Sequence, residues 1–389
     1  MSKRIFISAG EPSGDLHGSN LAKALKAQWP DVELIGFGGP KMAAAGVDLK
    51  YELTNHAVMW FGKVLSQIGT FVGVVNQAAR IFDEERPDAV VLIDYPGLHW
   101  WIAKRARDRG IPVFYHVPPQ LWAWAGWRVA KIKDRFSYVF CSLPFEPQWY
   151  AEHGYKFAEY LGHPYFDELA GRVVDEAWVA EQKARASRWI GILPGSRMAE
   201  IEKNLPMMIR AIEPVSQKFP DVRYAVACLG EEQKAMVEKV MRETPLPAWF
   251  LERIDLFVNK TPEILKLIDL AWTVSGSVSL ELMYETVPSV VVYRINPLDK
   301  KVSAQFIKSP YITLTNLLAG WDIFPEYLTD HDVDKELADW AIRWLEDPAE
   351  AARKRQSLAA LREQYGQPGA SAAVAYRMAQ IFDAWAKAK

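Results

Sequence analysis

Short, nearly unbroken apolar runs alternate with amphipathic stretches along most of this chain. Ile5–Ala9, Glu33–Phe37, Ala89–Ile93, Val113–His116 and Tyr138–Ser142 read as strands, with helical patterns such as Gly18–Gln28 and Trp100–Arg109 between them. The alternation pauses at Leu161-Gly-His-Pro164, a loop, and resumes with Trp189–Leu193, Arg223–Leu229, Asp269–Val274 and Ser289–Tyr293. Strands separated by helices at this spacing predict parallel, doubly wound α/β sheets. A chain of 389 residues is long for one core. Two Rossmann-like domains opposed across a cleft are therefore expected, over 1–166 and 167–365. The tail from Asp334 is helical and breaks at Gly366–Gly369, and residues 366–389 are expected to cross back to the first domain.

Residues 60–75 stand apart. Trp60, Phe61, Val64, Leu65, Ile68, Phe71, Val72 and Val75 recur at spacings of three and four, which predicts one apolar helical face. The opposite face is uncharged but for Lys63, and Gly62 and Gly69 weaken it as a helix. Such a face packs into a core or touches lipid. The same choice applies to the tryptophans, 16 in all, which gather at Trp60, Trp100-Trp101 and Trp122-Ala-Trp124-Ala-Gly-Trp127.

Two strand ends carry the clearest chemistry. Arg4-Ile-Phe-Ile-Ser-Ala-Gly-Glu-Pro-Ser-Gly-Asp15 and Trp189-Ile-Gly-Ile-Leu-Pro-Gly-Ser-Arg197 both break from an apolar run into a small-residue turn before a helix. That arrangement aims backbone N–H groups and a positive helix end at one spot, which suits an anion. In the second turn Gly195 allows close approach, Ser196 offers a hydroxyl and Arg197 a planar fork of donors for a diphosphate. A third turn, Ser275-Gly276-Ser277, opens a helix on which Glu281 lies one turn on, placed to accept ribose hydroxyls. The first turn holds an acid, Glu11, which repels a diphosphate, so Ser13, Gly14 and Asp15 there suit a neutral hydroxylated ligand. Asp94 ends the most apolar strand, where open α/β sheets place their ligands and where burial raises a carboxyl toward a useful base. Gln120 and His163 are secondary candidates near the same edge.

Other features narrow the reading. The net charge of −2 supplies no field for nucleic acid. Cys141 and Cys228 lie inside apolar strand runs and read as buried small hydrophobes. The histidines show no metal-ligand spacing, and Asp330-His-Asp-Val-Asp334 reads as the cap of a helix at Glu336–Leu345, so neither metal nor cofactor is expected. No apolar run spans a bilayer and Lys3-Arg4 leads into no secretory signal, so a cytoplasmic, soluble or peripheral protein is expected. The first turn lacks regular Gly-x-Gly-x-x-Gly spacing, which counts against a dinucleotide-dependent oxidoreductase.

The motifs together resemble the lipid-A-disaccharide synthases, glycosyltransferases of the GT-B type. The resemblance rests on Ser8–Asp15, Gly38-Gly-Pro-Lys-Met42, Ala57-Val-Met59, Leu92–Pro96, Pro119–Trp124, Leu143-Pro-Phe-Glu146, Gly162-His-Pro164, Leu193–Arg197, Ser275-Gly276 with Leu280-Glu281, and Thr315–Gly320. It implies transfer of 2,3-diacylglucosamine from UDP to 2,3-diacylglucosamine 1-phosphate at a membrane surface, without a metal and on the inner face of the inner membrane. It further implies that Asp94 is or supports the general base, that Glu11 and Asn316 are polar residues the reaction needs, and that Arg197 faces the diphosphate. Trp60, Lys63, His99, Pro118 and Ala125 depart from the family pattern, all on the acceptor side; the family has an asparagine where this chain has His99. A UDP-N-acetylglucosamine epimerase, a peptidoglycan glycosyltransferase and a non-catalytic membrane-surface relative are the alternatives. Oligomeric state, a homodimer included, stays open.

Overall fold

The computed structural model describes residues 3–54, 68–297 and 309–387. They divide into two compact units, Met1–Ala170 with Gln367–Lys389, and Gly171–Gly366. Each is built on a parallel sheet. The first contains β1 (Arg4–Ala9), β2 (Glu33–Gly38), β3 (Asp48–Glu52), β4 (Ala89–Ile93), β5 (Val113–His116), β6 (Tyr138–Cys141) and β7 (Ala158–Tyr160), in the order β3-β2-β1-β4-β5-β6-β7. The second contains β8 (Arg188–Leu193), β9 (Val222–Cys228), β10 (Ile254–Val258), β11 (Leu270–Val274), β12 (Ser289–Arg294) and β13 (Glu326–Thr329), in the order β10-β9-β8-β11-β12-β13. The edge strands β3, β7, β10 and β13 were not expected from the pattern. They are only partly buried, and a half-buried edge does not demand a continuous apolar run.

In both sheets the order reverses beside the first strand, between β1 and β4 and between β8 and β11. At such a switch point the chain leaves two neighbouring strands in opposite directions and opens a crevice at their carboxyl ends. The first two motif turns follow β1 and β8; Asp94 and Ser275 follow β4 and β11. The sheet's two faces are separately buried. Phe6, Phe37, Val90, Leu92 and Tyr115 belong to one core, and Ile5, Ile7, Val91, Ile93 and Phe114 to the other, as the two-residue period of a strand requires. The last helix, Ala370–Lys387, contributes Val374, Ala375, Met378 and Ile381 to the second of these cores. Asp167 holds its start, accepting from the backbone N–H groups of Gly369, Ala370 and Ser371. Cys141 and Cys228 are buried and free.

Two expectations change here. Residues 60–67 of the apolar helix, with Trp60, Phe61, Val64 and Leu65, lie outside the described residues. The helix observed is Ile68–Glu85. Its Phe71, Val74, Val75, Ala78 and Phe82 pack on the sheet, while Val72 is 48% exposed, so most of the stripe that continues past Ile68 is core. The Asp330–Asp334 run caps nothing with its side chains: Val333 is the cap, and Asp332 pairs with Arg210 and Arg294 across the loop ends. No helix among the described residues is long and apolar enough to cross a membrane.

Asp15 also proves structural. It is buried, and its carboxylate accepts from the backbone N–H groups of Gly39 (2.8 Å), Lys41 (3.0 Å) and Met42 (3.0 Å), at the start of the helix Pro40–Ala44. It therefore joins the turn after β1 to the turn after β2, with three backbone N–H groups on its two oxygens. Removing a charged acceptor from three buried donors costs more than one ordinary hydrogen bond. Asp15→Ala is expected to destabilise the N-terminal unit by about 3 kcal/mol, measured as the shift of its transition in urea; a shift below about 1 kcal/mol contradicts the capping role.

Candidate active site

The carboxyl edge of the first sheet is built around Asp94. Both Asp94 and Tyr95 hold left-handed backbone, at φ 50° and 48°, and Val117 after β5 does the same at 54°. Left-handed non-glycine residues are uncommon, and clusters of them mark functional edges. The Tyr95 ring lies over the turn after β1. A Cβ on Gly10 would stand 2.1 Å from that ring, so only glycine fits there. Glu11 ends the same turn. It caps the helix Pro12–Gln28 by backbone alone, with no side-chain cap bond. Burial, then the nearby Glu11 carboxylate, pushes the Asp94 carboxyl up to about 6. The same two causes push the Tyr95 hydroxyl up to about 12. A carboxyl raised to about 6, ionised at neutral pH yet more basic than an ordinary aspartate and beside a second carboxylate, is an arrangement for taking up a proton.

The remaining N-terminal candidates take different places. Ser13 is exposed on the first turn of its helix. Gly14 is buried on the same helix, where a Cβ would make ordinary contact with Ala9. Gln120 is half-buried just before the helix Leu121–Trp124. His163 is buried and accepts from the Tyr165 N–H, so it serves its own loop. In the tryptophan motif, Trp122 donates to Glu146, whose other oxygen accepts from the Ser142 and Leu143 N–H groups. Burial pushes that Glu146 carboxyl up to about 7. Trp100 is core, whereas Trp124 and Trp127 are exposed with the Arg128 guanidinium against both rings.

The second switch point is organised by Gly195 and Glu200. Gly195 stands at φ 110°, and a Cβ there would lie 2.7 Å from Glu200 Oε2. Glu200 accepts from the Arg197 N–H (3.3 Å) and from Arg197 Nη1 (3.1 Å), reaching back from the third residue of the helix Met198–Arg210 to its N-cap. Arg197 is 72% exposed, so Glu200 orients a guanidinium whose other donors remain directed to solvent. Thr273 ties β11 to the Leu193 carbonyl at the end of β8. Ser275 Oγ donates to the Ile312 carbonyl at 2.5 Å, while Gly276 and Ser277 are exposed at the turn. Glu281 is buried and pairs with Arg172, which fixes its carboxylate.

Asn316 does not reach outward. It is fully buried, its amide donates to the Phe324 carbonyl (2.8 Å) and its oxygen accepts from the Phe324 N–H (2.9 Å). The catalytic expectation for Asn316 therefore becomes a positioning one: it staples the loop that follows the helix Leu314–Ala319. Glu200 was missed from the sequence, although its place three residues after Arg197 is the spacing of a capping box. His99, Ser8 and Tyr115, which hold Asp94 from behind, were also missed as site residues.

Comparison with known proteins agrees with this architecture. The family model for lipid-A-disaccharide synthetase matches residues 5–381. The chain is 32% identical over 378 residues to the lipid-A-disaccharide synthase of Geobacter metallireducens, covering 96% of each chain. Among solved structures it is similar in fold to S. aureus MnaA in a co-structure with UDP (TM-score 0.61, 15% identity, 95% of this chain and 94% of that one). It is likewise similar to the glycotransferase of kitacinnamycin (TM-score 0.64, 16% identity, 98% and 99%). The chain belongs to the lipid-A-disaccharide synthase family, with two parallel-sheet α/β domains of the GT-B type, and it is a glycosyltransferase.

The N-terminal unit buries four histidines without charging them. Burial lowers His17 and His99 to about 4, and His116 and His163 to about 3. In the unfolded chain each takes up a proton near pH ~6.5, while the folded chain stays neutral until the lower value. Stability is thus full above about 6.5 and falls as pH drops toward about 4. Asp94 and Glu146, both raised, act in the opposite sense but are two against four. The melting temperature of this unit is expected to fall between about pH 7 and 5; a flat or rising profile contradicts the buried neutral histidines.

Proposed function

We propose that the chain transfers 2,3-diacylglucosamine from its UDP derivative to 2,3-diacylglucosamine 1-phosphate, giving the β-1,6-linked disaccharide 1-phosphate and UDP. The observation that carries the reading is the pairing of a raised, left-handed Asp94 at one switch point with the Gly195–Arg197 turn at the other, within a chain of this family. In the proposed division of labour the N-terminal unit serves the acceptor and the C-terminal unit the UDP-sugar.

Asp94 takes the proton of the acceptor's primary hydroxyl as that oxygen attacks the anomeric carbon. The bond from that carbon to the diphosphate breaks, its electron pair leaves with UDP, and the configuration inverts. Burial, with Glu11 nearby, raises the Asp94 carboxyl to about 6, which makes it a stronger proton acceptor than an ordinary aspartate. Arg197 and the N–H groups at the start of Met198–Arg210 bear the charge developing on the departing diphosphate, where such groups act most strongly. Ser275, Gly276 and Ser277 line the nucleotide side, and Glu281, fixed by Arg172, accepts from the ribose.

The acyl chains of both substrates bring the reaction to a membrane. Exposed Val72, Trp124 and Trp127 on the N-terminal unit support a peripheral protein on the cytoplasmic face of the inner membrane.

Incubation with both lipid substrates in detergent, following UDP and lipid products together by mass spectrometry, tests the assignment. Disaccharide 1-phosphate in equal yield with UDP is expected; tight UDP binding without disaccharide overturns the acceptor half. In the same assay Asp94→Ala is expected to lower kcat by roughly 10²–10⁴-fold. Arg197→Ala is expected to lower kcat/KM for the donor roughly tenfold to a hundredfold. The wild-type kcat/KM is expected to fall on the acid side with a midpoint near the Asp94 value of about 6. Near-normal turnover by Asp94→Ala removes the base assignment.

A further inference from the structure

Two left-handed non-glycine residues in succession are costly and persist only where their surroundings fix them. The Asp94 carbonyl oxygen, at the centre of this turn, accepts from two buried side chains. His99 Nδ1 lies 2.7 Å away and Tyr115 Oη 3.1 Å. A carbonyl only accepts, so Nδ1 carries the proton. His99 is fully buried and burial lowers its imidazole to about 4, so near neutrality Nε2 is a bare lone pair. Ser8 Oγ stands 2.9 Å from that lone pair and donates to it.

The result is a relay from β1 to the end of β4: the Ser8 hydroxyl to Nε2, then Nδ1–H to the Asp94 carbonyl. It crosses the switch point, because Ser8 is paired in register with Leu92, two residues before Asp94. His99 sits in the first turn of the helix Pro96–Arg107, where its own N–H also donates to the Tyr95 carbonyl at 3.2 Å. The titratable groups facing this knot are Asp94 and Tyr95 on its own segment, Glu11 from the first turn and Tyr115 from β5.

We propose that His99 is a positioning residue for the reaction: held in its Nδ1–H form by Ser8, it clamps the Asp94 carbonyl and so aims the Asp94 carboxylate at the acceptor hydroxyl. The inference rests on Asp94 being the base. It gives a role to a side chain at which this chain departs from its family's usual residue.

The test compares His99→Phe, His99→Asn and His99→Gln with Asp94→Ala. Phenylalanine keeps the ring and removes the donor; the asparagine carboxamide N–H reaches the Nδ1 position; glutamine carries its amide beyond it. A folded Phe variant is expected to lose roughly tenfold to a hundredfold in kcat, with donor KM within about twofold and the acid limb of the pH profile displaced. The Asn variant is expected to recover most of the rate and the Gln variant little of it. Should the Phe variant not fold, the contrast between Asn and Gln decides. In the wild type, ¹⁵N spectra of the imidazole are expected to show the Nδ1–H tautomer throughout about pH 5 to 8. Wild-type kcat and acid limb in a folded Phe variant, equal rates for Asn and Gln, or an Nε2–H tautomer each overturn the proposal. If Asp94→Ala is inactive while the His99 variants are normal, only this inference falls; an active Asp94→Ala removes the base assignment and the inference with it.

Discussion

The constraint on which the first site depends is the reversed backbone at Asp94 and Tyr95. A β-strand that continued in extended geometry would carry Asp94 along the sheet edge. Two left-handed residues instead turn the chain sharply into the helix Pro96–Arg107. Around that turn several otherwise unrelated requirements become one. Gly10 has no side chain because the Tyr95 ring occupies its place. His99 and Tyr115 bring buried polar groups to this apolar region and donate to the Asp94 carbonyl, and Ser8 donates to His99 in turn. Burial of the carboxyl, with Glu11 alongside, then follows from the turn itself and yields a base suited to neutral pH.

The C-terminal unit meets a different need with the same topology. Its first turn is left-handed at a glycine, which adopts φ 110° at little cost, so no clamp like that at Asp94 is required. What it does require is orientation of a long, exposed guanidinium, and Glu200 supplies that from within the same helix turn. One unit thus fixes a short acid by strain and surrounding hydrogen bonds, while the other steers a flexible base by a local ion pair. An exposed pair of this kind contributes little to stability, so Glu200 acts mainly on where Arg197 points.

Much of this was legible in the sequence, and the exceptions have common causes. Central strands such as Ala89–Ile93 and Trp189–Leu193 announce themselves because both faces are buried, whereas Asp48–Glu52 and Glu326–Thr329 are edges that share their pattern with loops. Asp94 and Arg197 were legible as candidates because each ends or follows an apolar run at a turn. Asp15 and Asn316 were read as ligand-facing and the structure gives both side chains backbone partners; a buried polar side chain serving backbone looks the same in sequence as one serving a substrate. Their three-way and two-way bonds to Gly39, Lys41, Met42 and Phe324 are contacts between segments far apart in, or looped out of, the local pattern. His99 was hidden for the same reason: its partners, the Ser8 hydroxyl and the Asp94 carbonyl, come from another strand and from the turn before its own helix.

The central claim is that the fold keeps the Asp94 carboxyl poised near neutrality. The most direct measurement is a ¹³C NMR titration of the aspartate carboxyls in the wild-type protein, with the Asp94 signal identified by its loss in Asp94→Asn. The account predicts a midpoint at about 6. A midpoint near ~4, that of an ordinary solvated aspartate, would contradict it.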